Sequence, residues 1–444
     1  DLPAVEAIAL IGGGLTTEHL VVGGNAAPTL AWSGVGGLID LPSVQATTLS
    51  WETGMLRTPK LTTTGKSLLT TAGTDIGVWT AGANVTVKDG SPEVDTLAVT
   101  GALTVSGKAV LTMRKAQVSA SGALTLTDTA QVRTLGAAKT TDVRLIVKAK
   151  TVTVGKTARI VADYAGPKTA DLADYVEVKG TGSSGGSHGG TGRPVGTAQS
   201  TFGDLRWPGT PGGAAVRGAT GGGVIVVEAS EQLLLHGKIT ANGTNHSYGG
   251  GAGGSIRILT PELHGAGTIE AKGGNGSSST GGGGGGRVAL HVPKVLGGNF
   301  QPSKWTTGVL TWGGLSGAIS AGAGTLYVKR AGSVNGDLMV QAQKLSYTSV
   351  PSRALVMPTT KVLAMKGAAL TTADVLTKDR YIGGFLNLQS NPDLQKVTPF
   401  AITGNETTTV TINHPTASLA AHGKVGAMLR TLYVFDRIHI GAGA

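Results

Sequence analysis

Gly222-Gly223-Val224-Ile225-Val226-Val227-Glu228-Ala229 leads into Leu233-Leu234-Leu235-His236-Gly237-Lys238-Ile239-Thr240-Ala241-Asn242-Gly243, and the same order then returns. The return reads Gly253-Gly254-Ser255-Ile256-Arg257-Ile258, then Leu263-His264-Gly265-Ala266-Gly267-Thr268-Ile269-Glu270-Ala271-Lys272-Gly273. A further copy begins at Gly286-Arg287-Val288-Ala289-Leu290-His291-Val292. Self-similarity at a period of roughly thirty residues is the mark of a solenoid, whose units bury their apolar faces only against their neighbours.

Within each unit, alternation sets the type of element. Ile256-Arg257-Ile258 and Lys238-Ile239-Thr240-Ala241 exchange apolar and polar residues at every step, which sends them to opposite faces of a strand. No run is long enough, or spaced in threes and fours, to make a helix. Glycine clusters separate the strands at Ser183–Gly190, Tyr248–Gly254 and Gly281–Gly286. Glycine reaches positive φ freely but loses the most backbone entropy on folding, so such clusters must be turns, close backbone stacks or loops. Ordered turns and stacks with some projecting loop are the favoured reading; extended polyglycine helices packed side by side are the alternative.

Working outward, residues 95 to 160 carry a shorter period. Gly101-Ala102-Leu103-Thr104-Val105-Ser106 is followed by Gly122-Ala123-Leu124-Thr125-Leu126-Thr127. A repeat of roughly twenty residues fits one turn of a three-sided β-helix whose strands stack about 4.8 Å apart. Nearer the start, Asp1-Leu2-Pro3-Ala4-Val5 returns as Asp40-Leu41-Pro42-Ser43-Val44, and Thr58-Pro59-Lys60-Leu61 echoes it. Proline lacks the N–H a ladder needs, so these prolines mark corners. Trp32 and Trp51 lie in alternating runs and read as core or seam residues.

The chain has 444 residues, no cysteine, 72 glycines, 14% charged and 4% aromatic residues. That is too little charge and aromatic surface for an ordinary α/β enzyme, and too apolar for a charge-driven disordered chain. Without cysteine there is no disulfide, thiolate site or thiol nucleophile. No apolar window approaches the length of a membrane-spanning helix. The chain starts at Asp1 without a leader, and no polar cap follows the strand pattern Tyr433–Ile440, so a piece of a longer chain, or one covered by another subunit, is expected.

A net charge of +11 is concentrated between Lys108 and Arg159. Lys108, Arg114, Lys115, Arg144, Lys148, Lys150, Lys156 and Arg159 are candidate contacts for an anionic polymer, polysaccharide or nucleic acid, opposed within that span by Asp128 and Asp142. The bland alternative is a solvated face. Catalytic signatures fail. Gly180–Gly185 fits the dinucleotide fingerprint, yet Gly186-Ser187-His188-Gly189-Gly190 follows, which cannot open the required helix. His188, His246 and His264 fall near glycine turns and are expected as turn or surface residues without zinc spacing. Asp163, Asp171, Asp174 and Glu177, with Lys179 close behind, would matter in a β-helix polysaccharide lyase if they converged. No catalytic, cofactor or metal residue is assigned.

Beyond Gly298 the pattern changes. Phe400 to Ile412 reads as a hairpin joined through Gly404-Asn405, a small antiparallel insertion after which Leu432–Phe435 would rejoin the solenoid. The expected organisation is a regular spine over 1–179, glycine-rich coils over 180–298, and C-terminal coils with an inserted hairpin over 299–444.

The Gly-Gly-Ser-His-Gly-Gly motif at 185–190, the Ile-x-Ala-x-Gly units at Ile239 and Ile269, Gly324–Lys329 and Phe400–Asn405 resemble very large, repetitive bacterial surface or secreted proteins of adhesin-like type. The resemblance covers roughly 180–444. It implies a right-handed parallel β-helix and an extracellular or cell-surface location, and transfers no catalytic residue. The expectation is therefore an all-β, right-handed parallel β-helix with glycine-rich loop insertions, a non-enzymatic structural or adhesive component that self-associates into a fibre or filament. The alternatives are a polysaccharide-degrading β-helix enzyme and a basic module binding an anionic polysaccharide, cell envelope or nucleic acid.

Overall fold

The structure is a computed structural model. It describes residues 7–10, 15–16, 20–21, 29–32, 38–40, 43–52, 54–70, 73–135, 144–167, 182–196, 201–215, 219–340, 348–349, 360–374, 376, 385–387, 400–413, 428–432 and 435–440. Among them the chain is nearly all β, dominated by a 29-stranded, mostly parallel sheet.

Pairings in that sheet sort into three ladders. The first runs through Thr48–Trp51, Ser67–Thr70, Val85–Lys88, Leu103–Ser106, Ala123–Leu126, the end of Arg144–Val154, the end of Val224–Leu235, Glu262–His264 and Val295–Leu296. The second takes the start of Met55–Thr63, Gly73–Ala81, Ser91–Val99 and Val110–Ala120, then Gln131–Thr134, Arg159–Val161, Lys238–Thr240, Thr268–Glu270 and Val309–Leu310. The third takes the far ends of those same long strands, then the starts of Arg144–Val154 and Val224–Leu235, then Ser255–Leu259, Arg287–Val292 and Thr325–Arg330.

The register is the one the repeats imply. Leu103 sits opposite Leu124, Ile239 opposite Ile269, Val224 opposite Ser255, and Val44 opposite Leu61, so the copies of the proline echo at Pro42 and Pro59 are in register, while the copy at Asp1–Val5 lies outside the described residues. Pro59 lies within Met55–Thr63 but outside its paired residues, at the corner where pairing passes from the second ladder to the third. Alternation then fills the interior. In Val85–Lys88 and Leu103–Ser106 the valines and leucines are buried and the threonines, lysine and serine face out. Each such aliphatic side chain contributes about 1.5–3 kcal/mol. One continuous apolar core, which includes Trp51 and Trp79, runs from Val44 to Met339. The side chain of Trp32 is outside the described residues.

Among the described residues two of the ladders go no further than a plug. Between Val295–Leu296 of the first ladder and Val309–Leu310 of the second, short helical turns at Gly298–Phe300, Pro302–Lys304 and Trp305–Gly308 send Phe300 and Trp305 into the core. Trp305 Nε1 donates to the Phe300 carbonyl at 2.8 Å, which satisfies the indole within the plug. Among the described residues only the third ladder continues, through antiparallel Asp337–Val340 to Arg437–Ile440. The chain thus rejoins the large sheet at Arg437, not at Leu432.

Met428–Leu432 belongs instead to a separate antiparallel ring with Thr360–Lys366, Ala369–Thr372, Thr409–Ile412, Phe400–Asn405 and Phe385–Asn387. It has its own core of Val362, Leu370, Leu386, Phe400, Ile402 and Val410. The hairpin expected at 400–412 is present, but its turn is Glu406 to Thr408. Gly404 sits at a register shift and Asn405 pairs with Val410, while the Glu406 N–H donates to the Thr409 carbonyl. Tyr433 and Val434 lie outside the described residues.

Candidate functional site

The glycine clusters all enter at one place. In the early repeats the corner between second and third ladders is a single residue, Gly77, pressed so closely on Pro59 that a Cβ there would meet the Pro59 carbonyl well inside 3.0 Å. In the later repeats the same corner is opened by long excursions: 241–254 leaves Lys238–Thr240 and returns to Ser255–Leu259, and 271–286 and 311–324 do likewise. Apart from their exposed tips, the excursions are ordered backbone stacks. Each runs out and back as two extended arms joined by an exposed tip, and the arms lie side by side, bonded to one another and to neighbouring excursions rather than along themselves.

Their bonding has a period of three. Along one segment the N–H groups of Gly250 and Gly253 donate to Gly281 and Gly284, those of Gly251 and Gly254 to Thr244 and Ala241, and that of Ala252 to Gly213, all at 2.7–2.9 Å. A neighbouring segment repeats this. Gly281 and Gly284 donate to Ser183 and Gly186, Gly283 and Gly286 to Gly274 and Ala271, and Gly285 to Gly322. Bonds that rotate to new neighbours every third residue, with none internal, belong to polyproline II-type helices. This is the alternative reading of the clusters, realised as a bundle. Glycine is required because a Cβ on Gly185, Gly190, Gly250 or Gly284 would overlap a neighbour's carbonyl oxygen.

The stretch 201–210 lies over the outward side of the third ladder and fastens the bundle to it. Arg287 is buried and donates from Nε to the Phe202 carbonyl at 2.8 Å and from Nη1 to Thr325 at 3.1 Å. His188, expected at a surface turn, is fully buried: Nδ1 lies 2.7 Å from the Gly253 carbonyl and Nε2 3.1 Å from Thr210 Oγ1. Burial, with the Arg287 charge, holds its pKa down to about 3, so the ring is neutral. Asp204 turns the loop by accepting from the Arg206 and Trp207 N–H groups, and burial raises its pKa. Trp207 stacks on His291 at 4.2 Å with Arg257 above it, and Arg206 reaches over Tyr327 and Phe435. These groups hold one another in place.

Beside this lid runs a groove of about 670 Å³ bordered by Lys148, Lys150, Glu228, Leu259, Pro261 and His291. Its two lysines are ion-paired, Lys148 with Glu228 at 2.9 Å and Lys150 with Glu231 at 3.1 Å.

The eight basic candidates do not share one face. Arg114 and Lys115 sit at a corner and hold Asp75, Asp95 and Glu93; burial lowers the Arg114 pKa, but hydrogen bonds and charge from Asp75 and Asp95 raise it overall. Lys148 is on the third ladder, Lys150 at the corner between the third and the first, Arg159 on the second, and Lys108 and Lys156 at turns between the first and second. For Lys108, Arg144, Lys156 and Arg159 no carboxylate lies within ion-pair distance among the described residues. The compensating acids were invisible in the sequence span because they come from neighbouring repeats. Asp142 lies outside the described residues.

Of the acidic group, Asp171, Asp174 and Glu177, and Lys179 with them, lie outside the described residues. Asp163 is half-buried, which raises its pKa, and accepts from Thr240 Oγ1 at 2.9 Å and the Asn242 N–H at 2.6 Å. Close by, Glu270 is 4% exposed and binds Lys238 at 2.8 Å and Lys272 at 2.6 Å. Burial pushes the Glu270 carboxyl up, but hydrogen bonds and charge from the two lysines outweigh it and hold the pKa down to about 2. Among the described residues no three metal-ligating side chains converge, and no helix is long and apolar enough to cross a membrane. Compared with family models, curated proteins and solved structures, the chain matches none.

Proposed function

We propose that the three ladders are the sides of a right-handed parallel β-helix, and that this rod is a non-enzymatic structural or adhesive component working outside the cell or on its surface. The observation that carries the reading is the third ladder's last strand. Arg437–Ile440 pairs on one side with Asp337–Val340 and is exposed at all four residues, with Ile438 58% and Ile440 73% accessible. An exposed strand with apolar side chains is a template for a further strand. Joined head to tail, such rods give open fibres rather than closed rings.

The plug of Phe300 and Trp305 supports the same division of labour, because it seals the apolar core and leaves backbone pairing on the third ladder as the joining surface. Electron microscopy of the purified protein across a salt titration tests this. Rods joined end to end, persisting as salt rises, are expected. Isolated short particles under every condition would end the assembly reading, and association that dissolves steeply with salt would shift it to Lys108, Arg144, Lys156 and Arg159 acting on an anionic polymer.

A further inference from the structure

We infer that a polar notch on the flank of the glycine bundle is a binding site for a neutral saccharide, a role that holds whether or not the rods assemble. The notch has a volume of about 240 Å³ and is lined by Tyr164, Asn242, Asn245, Lys272, Asn275 and Trp312. It lies where the segments beginning at Ala241, Ala271 and Thr311 run side by side. The N–H groups of Ala241, Gly243 and His246 donate to Glu270, Lys272 and Asn275, and those of Ala271, Gly273 and Gly276 donate to Leu310, Trp312 and Leu315. This register brings asparagines from successive repeats to one site.

The asparagines are oriented alike by that backbone. Asn242 Oδ1 accepts the Lys272 N–H at 2.8 Å, Asn245 Oδ1 the Asn275 N–H at 2.7 Å, and Asn275 Oδ1 the Leu315 N–H at 2.8 Å. A carboxamide whose oxygen is held by a main-chain donor has its orientation settled, leaving two N–H donors on Nδ2. Among the described residues none of these three Nδ2 groups has a protein acceptor, and Asn245 and Asn275 are exposed. Held donors beside an open volume are what a ligand rich in acceptor oxygens requires.

Charge and shape narrow the class. No carboxylate lines the notch, and its one cation, Lys272, is already held by Glu270 at 2.6 Å, so an anion gains little there. Two aromatic side chains border it, and Tyr164 is 53% exposed. An aromatic side chain offers an apolar face with a polar edge. A pyranose presents the matching combination of a flat C–H face and a rim of hydroxyls. The volume falls below the ~300–1,000 Å³ of drug-sized sites, which suits a single sugar ring or the end of a glycan chain.

The test is saturation-transfer NMR of the whole chain with glucose, galactose and N-acetylglucosamine, with inorganic phosphate, followed by phosphorus-31 line broadening, as the anionic control. Saturable binding of at least one sugar, insensitive to salt and absent for phosphate, is expected. Trp312→Ala and Asn245→Asp should each weaken it by about tenfold or more, as expected for loss of one well-placed contact. Asn245→Asp keeps an oxygen that accepts the Asn275 N–H and replaces the Nδ2 donor with a charged acceptor oxygen, so at this exposed position its melting temperature should be nearly unchanged. No saturable signal with any of the three sugars, binding of phosphate in their place, or sugar binding undiminished in Asn245→Asp would each overturn the assignment.

Discussion

The corner at Gly77 and the corner at 241–254 occupy the same place in the repeat and solve opposite problems. At Gly77 the chain passes from one ladder to the next in a single residue, and stability resides in side chains such as Trp79, Val94 and Leu97 that fill the core behind it. At the later corner the chain leaves the core, and backbone packs on backbone with almost no side chain between. In the ladders, removing side-chain atoms does the damage; in the bundle, adding them does. The bundle also compensates the entropy of ordering glycine by satisfying buried N–H groups on several sides at once.

The sharpest way to break the comparison is to add one methyl group in the bundle. Gly284→Ala would place a Cβ against the Gly190 carbonyl, and backbone segments surround it. We expect a loss above about 4 kcal/mol in urea unfolding, or no cooperative fold. Gly332→Ala is its control: φ is +73° but nothing lies within 4 Å, so the cost should be about 1 kcal/mol, from the left-handed backbone alone. Equal losses would mean that the bundle is not close-packed.

Next in size is the opposite operation in the ladders. Trp79→Ala removes a fully buried indole whose Nε1 lies 3.4 Å from Thr63 Oγ1, and should cost about 3–5 kcal/mol. A much smaller loss would show a core able to collapse around the gap.

Acid should separate the regions more gently. His188 has a pKa of about 3 in the fold and 6.5 as its reference, so below 6.5 the unfolded chain binds the extra proton and stability falls with falling pH. Between pH 7 and pH 5 this amounts to about 2 kcal/mol. His188→Gln should lower stability at neutral pH and flatten that part of the profile, as followed by thermal melting. An unchanged slope would place the imidazole in contact with water. The smallest effect belongs to the surface: Lys150→Ala breaks an ion pair whose side chains are 58% and 52% exposed, and should change stability by no more than about 0.5 kcal/mol.

Much of the ladder architecture could be read from local pattern, because the repeat that pairs Ile239 with Ile269 and Leu103 with Leu124 is also a repeat of residue types. The echo between Pro42 and Pro59 was legible in the same way, with Val44 opposite Leu61. Contacts formed across repeats were harder to see. Arg114 and Lys148 looked unopposed because Asp75, Asp95 and Glu228 are remote in sequence and adjacent only after stacking. His188 looked like a turn residue because its burial depends on Gly253 and Thr210 arriving from elsewhere. The asparagines of the notch carried one usable signal, the recurrence of Asn242 and Asn245 around Lys272 and Asn275 at the same offset, which the glycines around them obscured. The antiparallel ring was seen only as its hairpin, since its closure joins Thr360–Lys366 to Met428–Leu432.

Amide hydrogen exchange compares the two regions most directly. Gly250, Gly251, Ala252, Gly253 and Gly254 should exchange as slowly as Val87 and Val105, because each of those five N–H groups is bonded to a neighbouring extended arm. Exchange of the glycine amides at loop-like rates, with the ladder amides still protected, would contradict this expectation.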